Sequence, residues 1–117
     1  MPEDDRLQLL PGTLEMLVLQ SLVFGPRHGH GIATTIERTS EDLLLVDHGS
    51  LYPALQRLER AGLIQSEWGV SDNNRRARFY KLTRTGRKRL AQETGKWERI
   101  VRAVKGVLEA RPEEENV

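Results

Sequence analysis

At 117 residues the chain fits one domain, and its 38% apolar content allows a core, though a thin one of the kind small charged chains often complete by pairing with a second copy. It has no cysteine, which excludes a disulfide framework and a thiolate metal site. The net charge of +1 conceals an asymmetry: residues 57–89 hold ten Lys or Arg against three acids, a local excess of seven, and acids gather near both ends in "MPEDDR" and "EEE". A basic block of this size points to a polyanionic partner.

No apolar run approaches the roughly 18 residues a membrane span needs. The first residues also lack the basic-then-apolar layout of a signal peptide. The expectation is a cytoplasmic protein with a flexible arm over residues 1–9.

The first helix is expected in "TLEMLVLQSLVFGP", where Leu14, Leu17, Val18, Ser21 and Leu22 recur at helical spacing. Thr13 reads as its N-cap, Pro11-Gly12 as a preceding breaker and Gly25-Pro26 as its end. "GHGIATTIERTS" predicts a short second helix that buries Ile32, Ala33 and Ile36. "EDLLLVD" fits either a turn or a strand-like segment.

"GSLYPALQRLERAGLI", residues 49–64, predicts the third helix. At about 100° per residue, Leu51, Ala54, Leu55 and Leu58 share one face. Pro53, Gln56, Arg57 and Arg60 occupy the other, with Tyr52 on the flank. Ser50 is preferred as N-cap, because Pro53 then falls in the first turn and loses no hydrogen bond. A start at Asp47 would leave Pro53 inside the helix. Gly62 follows the last turn as a C′ residue.

"LIQSEW" (63–68) and "RFYKLT" (78–83) alternate as strands around the turn-rich "GVSDNNRRA", forming a β-hairpin. Thr83 then caps a long last helix of roughly 40 Å. In it Leu90, Trp97 and Val104 recur every seven residues, as do Thr94, Val101 and Leu108. Such a seam needs another helix to cover it, so Leu90, Trp97, Val101, Val104 and Leu108 are the expected homodimer interface.

Three helices, a hairpin and a long helix make a mainly α fold with a two-stranded β-hairpin, the winged helix-turn-helix layout. The domain spans residues 10–83, the dimerisation helix 84–110 and an acidic disordered tail 111–117. In this layout the third helix enters the major groove of double-stranded DNA and the hairpin lies beside it as a wing. The expected contacts are Ser50, Tyr52, Pro53, Gln56, Arg57 and Arg60 from the helix and Arg75, Arg76 and Arg78 from the wing. Gln bonds adenine, Arg bonds guanine, and proline or tyrosine carbons meet a thymine methyl.

An enzyme is the rival class, but no G-x-x-x-x-G-K loop or H-E-x-x-H motif is present. His28 and His30, two apart, do not face one another on a helix, and no metal site or other cofactor is expected. An RNA-binding or protein-binding winged helix remains a second rival.

The residues also resemble those of PadR-family transcriptional regulators, over about residues 10–108. "LYPALQRLE", "AGLI" followed by Trp68, and "YKLTRTG" carry the likeness. "HGHGI" stands where the family has a Tyr-Gly-Tyr triplet, so both aromatics there are histidine. The single C-terminal helix is similar to that of the family's short subfamily. The resemblance implies a bacterial repressor that dimerises through this helix and leaves a palindromic operator when a small-molecule inducer binds. It also matches Tyr52 and Pro53 to the family's recognition helix and Arg75, Arg76 and Arg78 to its basic wing. Some members bind flat drugs between their subunits. Trp97 therefore either fills the core against Leu14 and Leu17, or faces its mate across the seam and sandwiches an aromatic inducer.

Overall fold

The structure, a computed structural model, describes residues 7–113. Residues 1–6 of the expected arm and 114–117 of the expected tail lie outside it. Leu7–Gln8, also placed in that arm, form a short strand, β1, and Leu9 packs against the core.

The first helix, α1 (Pro11–Ser21), corrects the sequence reading at its start. Pro11 and Gly12 are its opening residues, Leu10 is its N-cap, and Thr13 lies inside it. A proline at the first position lacks only an N–H that has no partner within the helix, and its fixed φ suits the helix. Leu14, Val18, Leu19 and Leu22 enter the core. The buried Ser21 hydroxyl donates to the Val18 carbonyl at 2.7 Å, which satisfies it among apolar neighbours.

Arg27–His28 then form β2 and lead into α2 (Gly29–Thr39). His28 caps this helix, its Nδ1 accepting from the Gly31 amide at 3.0 Å. Ile32, Ala33 and Ile36 are buried as expected. "EDLLLVD" turns out to be turn and strand in succession. Glu41 and Asp42 take left-handed φ values of 55° and 61°, and Leu44–Leu45 form β3, parallel to β1.

The third helix, α3, runs from His48 to Arg60 with Asp47, not Ser50, as N-cap. The Asp47 carboxylate accepts from the Gly49 amide and from the Ser50 hydroxyl, each at 3.2 Å. A carboxylate on free N–H groups at the positive end of a helix outcompetes a serine three residues on. Pro53 therefore sits inside the helix, with no N–H to give the Gly49 carbonyl. The helix continues through it because Leu51, Ala54, Leu55 and Leu58 are all buried. It closes in a Schellman motif: Gly62, at φ 77°, donates to Glu59, and Leu63 donates to Leu58, each at 3.0 Å.

The hairpin strands β4 (Ile64–Val70) and β5 (Arg76–Leu82) run longer toward the turn than expected, pairing from Ile64↔Leu82 to Val70↔Arg76. β2 joins the other edge of β5 through Arg27↔Tyr80 and His28↔Phe79, making a three-stranded sheet of the hairpin. That pairing joins residues about fifty apart in sequence and leaves no local pattern to read.

Thr83 caps the last helix, α4 (Arg84–Leu108), as the sequence indicated. Its Oγ1 accepts from the Gly86 amide at 3.0 Å and donates to the Gly62 carbonyl at 2.7 Å. A Cβ on Gly86 would clash with the Leu63 carbonyl oxygen, so only glycine fits this crossing. Gly86 and Leu90 are the buried residues of α4; beyond them the helix leaves the core. The molecule measures 63 × 38 × 22 Å.

Candidate nucleic-acid interface

The outer face of α3 is as the helical wheel placed it. Ser50, Tyr52, Pro53, Gln56, Arg57 and Arg60 are exposed, opposite the buried leucines. They are not equally available. The side chains of Gln56 and Arg60 make no hydrogen bond or ion pair among the described residues. Ser50 is engaged with Asp47, and Arg57 Nε donates to Glu15 Oε1 on α1 at 2.7 Å. Tyr52 is 47% exposed and leans toward α2; its ring carbon lies 3.0 Å from where a Cβ on Gly29 would be. The His48 ring stacks on it at 6.0 Å.

The wing presents Arg75, Arg76 and Arg78, all exposed. Arg75 stands near the tip, where Ser71 N donates to the Arg75 carbonyl at 2.8 Å. Arg76 lies 4.6 Å over the centroid of Trp68, itself 57% exposed, in a cation–π contact. Arg78 donates from Nε to Ser66 Oγ at 2.7 Å. Between wing and helices lies an open groove of about 490 Å³, lined by His28, His30, Tyr52, Trp68 and the three wing arginines among others.

His28, His30 and Trp68 line this groove, and sequence reasoning did not select them. Strand alternation puts Trp68 on one face with Ile64 and Ser66, and the basic return strand opposite it was a usable signal. The register Trp68↔Arg78 shows why. For the histidines no such signal exists, since β2 brings them to the wing. Their rings stack at 6.2 Å, and among the described residues no group of three His, Cys, Asp or Glu is placed to hold a metal ion.

Tyr80 forms the floor of the groove and is 8% exposed. Burial raises its hydroxyl above the ordinary tyrosine pKa, with Arg78 pulling the other way and Glu59 and Tyr52 adding to the rise. Under the wing the molecule therefore offers a neutral phenol, and around it fixed cations.

Along α4, Leu90 belongs to this chain's own core, whereas Trp97, Val101, Val104 and Leu108 are exposed. Trp97, at 44% exposure, does not fill the core against Leu14 and Leu17.

Comparison with known proteins agrees with this architecture. A family model described as the transcriptional regulator PadR-like family matches residues 18–92. The chain is 43% identical over 61 residues to the transcriptional regulator Rv3488 of Mycobacterium tuberculosis, a match covering 52% of this chain and 56% of that protein. The crystal structure of a Streptococcus mutans protein superposes with a TM-score of 0.78 at 27% identity, over 90% of this chain and 94% of that one. A PadR family transcriptional regulator from Eggerthella lenta superposes at 0.73 with 29% identity, over 86% and 85%. The matched segment runs from the core of α1, through the recognition helix and wing, into the anchored start of α4, and on this ground the chain belongs to the PadR-like family of DNA-binding transcriptional regulators.

Proposed function

We propose that this regulator is a sequence-specific repressor that binds a palindromic operator as a homodimer and is released by a small aromatic inducer. The observation that carries the reading is the exposed face of Tyr52, Pro53, Gln56 and Arg60 standing beside a wing that carries Arg75 and Arg76. α3 enters the major groove, where Gln56 suits adenine, Arg60 suits guanine and the Tyr52-Pro53 carbons suit a thymine methyl. Arg57 and Ser50 join only by leaving Glu15 and Asp47. The wing arginines take phosphate or the minor groove. Such a protein acts in the cytoplasm, beside the genome. No helix among the described residues is long and apolar enough to cross a membrane.

The dimer forms through α4, where Trp97, Val101, Val104 and Leu108 leave an apolar seam uncovered by their own chain. A two-fold axis there puts two recognition helices on successive major grooves, with half-site centres about 10 bp apart. Trp97 faces its mate, and the pair sandwiches a planar molecule.

Selection of bound duplexes from random DNA tests the core of the reading. A palindrome should emerge, and its binding should weaken with salt. Enrichment of no sequence, or equal affinity for duplex RNA, would sink it. The inducer is tested separately. With Trp68→Phe leaving Trp97 as sole reporter, planar aromatic cations should quench its emission, saturating at one per dimer with loss of operator binding. Unchanged emission across a broad panel removes the inducer from the reading.

A further inference from the structure

A carboxylate in the last turn of a DNA-facing helix works against binding, because it repels phosphate. Glu59 is such a group, set within the most basic stretch of the chain. Its Oε2 accepts a hydrogen bond of 2.6 Å from the Ser66 hydroxyl on β4. Ser66 Oγ in turn accepts from Arg78 Nε on β5 at 2.7 Å. A hydroxyl has one proton to give, so the direction of the relay is fixed: Arg78 donates to Ser66, and Ser66 donates to Glu59. Arg78 Nη2 also lies 3.6 Å from the same carboxylate oxygen, too far for a hydrogen bond but near enough for an ion pair.

The relay reaches the rest of the wing through Trp68, whose ring centroid lies 5.8 Å from the Arg78 guanidinium and 4.6 Å from that of Arg76. Among the described residues it is the one side-chain polar link between α3 and the two long strands. The hairpin is otherwise held at its base, by the buried Ile64 and Tyr80 and by pairing with β2. The relay adds to that hold at the level of Ser66, which pairs with Tyr80.

We propose that Glu59 is a positioning residue that, through Ser66 and Arg78, locks the wing to the recognition helix. The inference rests on the reading that both elements contact DNA. The wing arginines then have different roles. Arg78, though exposed, is engaged by Ser66 and Glu59, whereas Arg75 makes no side-chain bond among the described residues and Arg76 lies over Trp68. Glu59 lowers attraction to any polyphosphate and fixes the distance between the groove-reading helix and the backbone-touching wing. Duplexes whose groove dimensions match that distance are then favoured over the rest.

The test uses full-length protein carrying Trp97→Phe, so that Trp68 alone reports, with Glu59→Ala, Glu59→Gln and Ser66→Ala added singly. Thermal melts check folding, and Ser66→Ala, which removes one hydroxyl, keeps the test open should Glu59→Ala unfold. In free protein, Glu59→Ala and Ser66→Ala should add a fast component to the time-resolved anisotropy of Trp68. Glu59→Gln should not, because its amide oxygen still accepts from Ser66. The ratio of affinities for a selected duplex and a scrambled one should fall about tenfold in the two alanine variants, the scale of one charge-assisted hydrogen bond. Affinity for the scrambled duplex should hold or rise in Glu59→Ala. An unaltered Trp68 decay in both alanine variants overturns the lock, and so does an equal loss of affinity for both duplexes. A protein that prefers no duplex overturns the repressor reading instead, and the Trp68 decay then decides the lock by itself.

Discussion

Two side chains show how far a residue's surroundings revise what its type suggests. Arg57 has the type and the helical position of a base reader, yet it is bonded to Glu15 on α1. Both partners are partly exposed, so the pair is weak and can open when phosphate or a base competes. Glu15→Gln should therefore strengthen binding to duplex DNA and steepen its salt dependence, both measurable by fluorescence anisotropy titration. Unchanged affinity would mean that Arg57 stays on α1 in the complex. Tyr80 shows the opposite case, a polar group whose burial governs it. Its raised pKa means that the folded protein holds the phenolic proton to higher pH than the unfolded chain. Stability is thus fully present below the ordinary tyrosine range and falls as pH rises from there through the raised native value, because the unfolded state ionises first. Tyr80→Phe should flatten this alkaline decline in urea melts taken between pH 8 and about 11. A decline as steep as that of the unmutated protein would show that another group causes it.

Among the elements, the helices were the most legible in the sequence. The leucine face of α3, the Thr83 cap and the buried face of α2 follow from periodicity and capping chemistry, which are local. The misplaced helix starts were local too, and each turned on competition: Asp47 displaced Ser50, and Pro11 served as first residue rather than breaker. What could not be read was non-local, namely the pairing of β2 with β5, of β1 with β3, and the Arg57–Glu15 bond. The position of Pro53 makes a prediction of its own. Pro53→Ala gives the Gly49 carbonyl an amide partner, so it should stabilise the fold, by at most about 3 kcal/mol. If Pro53 meets a base, the same change should lower operator affinity, a trade of stability against function visible in one variant. Gly86→Ala should do the reverse. Its Cβ meets backbone rather than a flexible side chain. Stability should therefore fall by about 1–3 kcal/mol, the range typical of overpacked sites, seen as a lower thermal midpoint.

At the scale of the whole molecule, the chain divides into a part that buries itself and a part that does not. Helices α1 to α3, the sheet and the first turns of α4 share one core that ends at Leu90. From Trp97 onward the apolar residues of α4 lie in solvent. If a second copy covers them, Val101→Glu places two like charges near the two-fold axis and should convert the dimer to monomer in sedimentation velocity. Operator binding should weaken with it, since each half-site would then be bound alone. A Val101→Glu protein that sediments as a dimer would move the interface elsewhere. The sequence disclosed this division as a seven-residue repeat, but not where the chain's own core ends along it. Leu90 continues the repeat and yet packs inward, because α4 packs against α1 just beyond the crossing at Gly86.

That crossing also anchors α4. The end of α3, the start of β4 and the start of α4 meet at Gly62, Leu63, Thr83 and Gly86, tied by the Thr83 hydroxyl, and at Gly86 there is no space for a single added carbon. From there α4 runs as a rigid arm of 25 residues. At about 1.5 Å per residue, a rotation of about 5° at its base carries the far end through about 3 Å. The gearing works in both directions. If a second copy pairs along α4, a displacement at the far end the width of one small molecule would correspond to a few degrees of tilt between the two recognition helices.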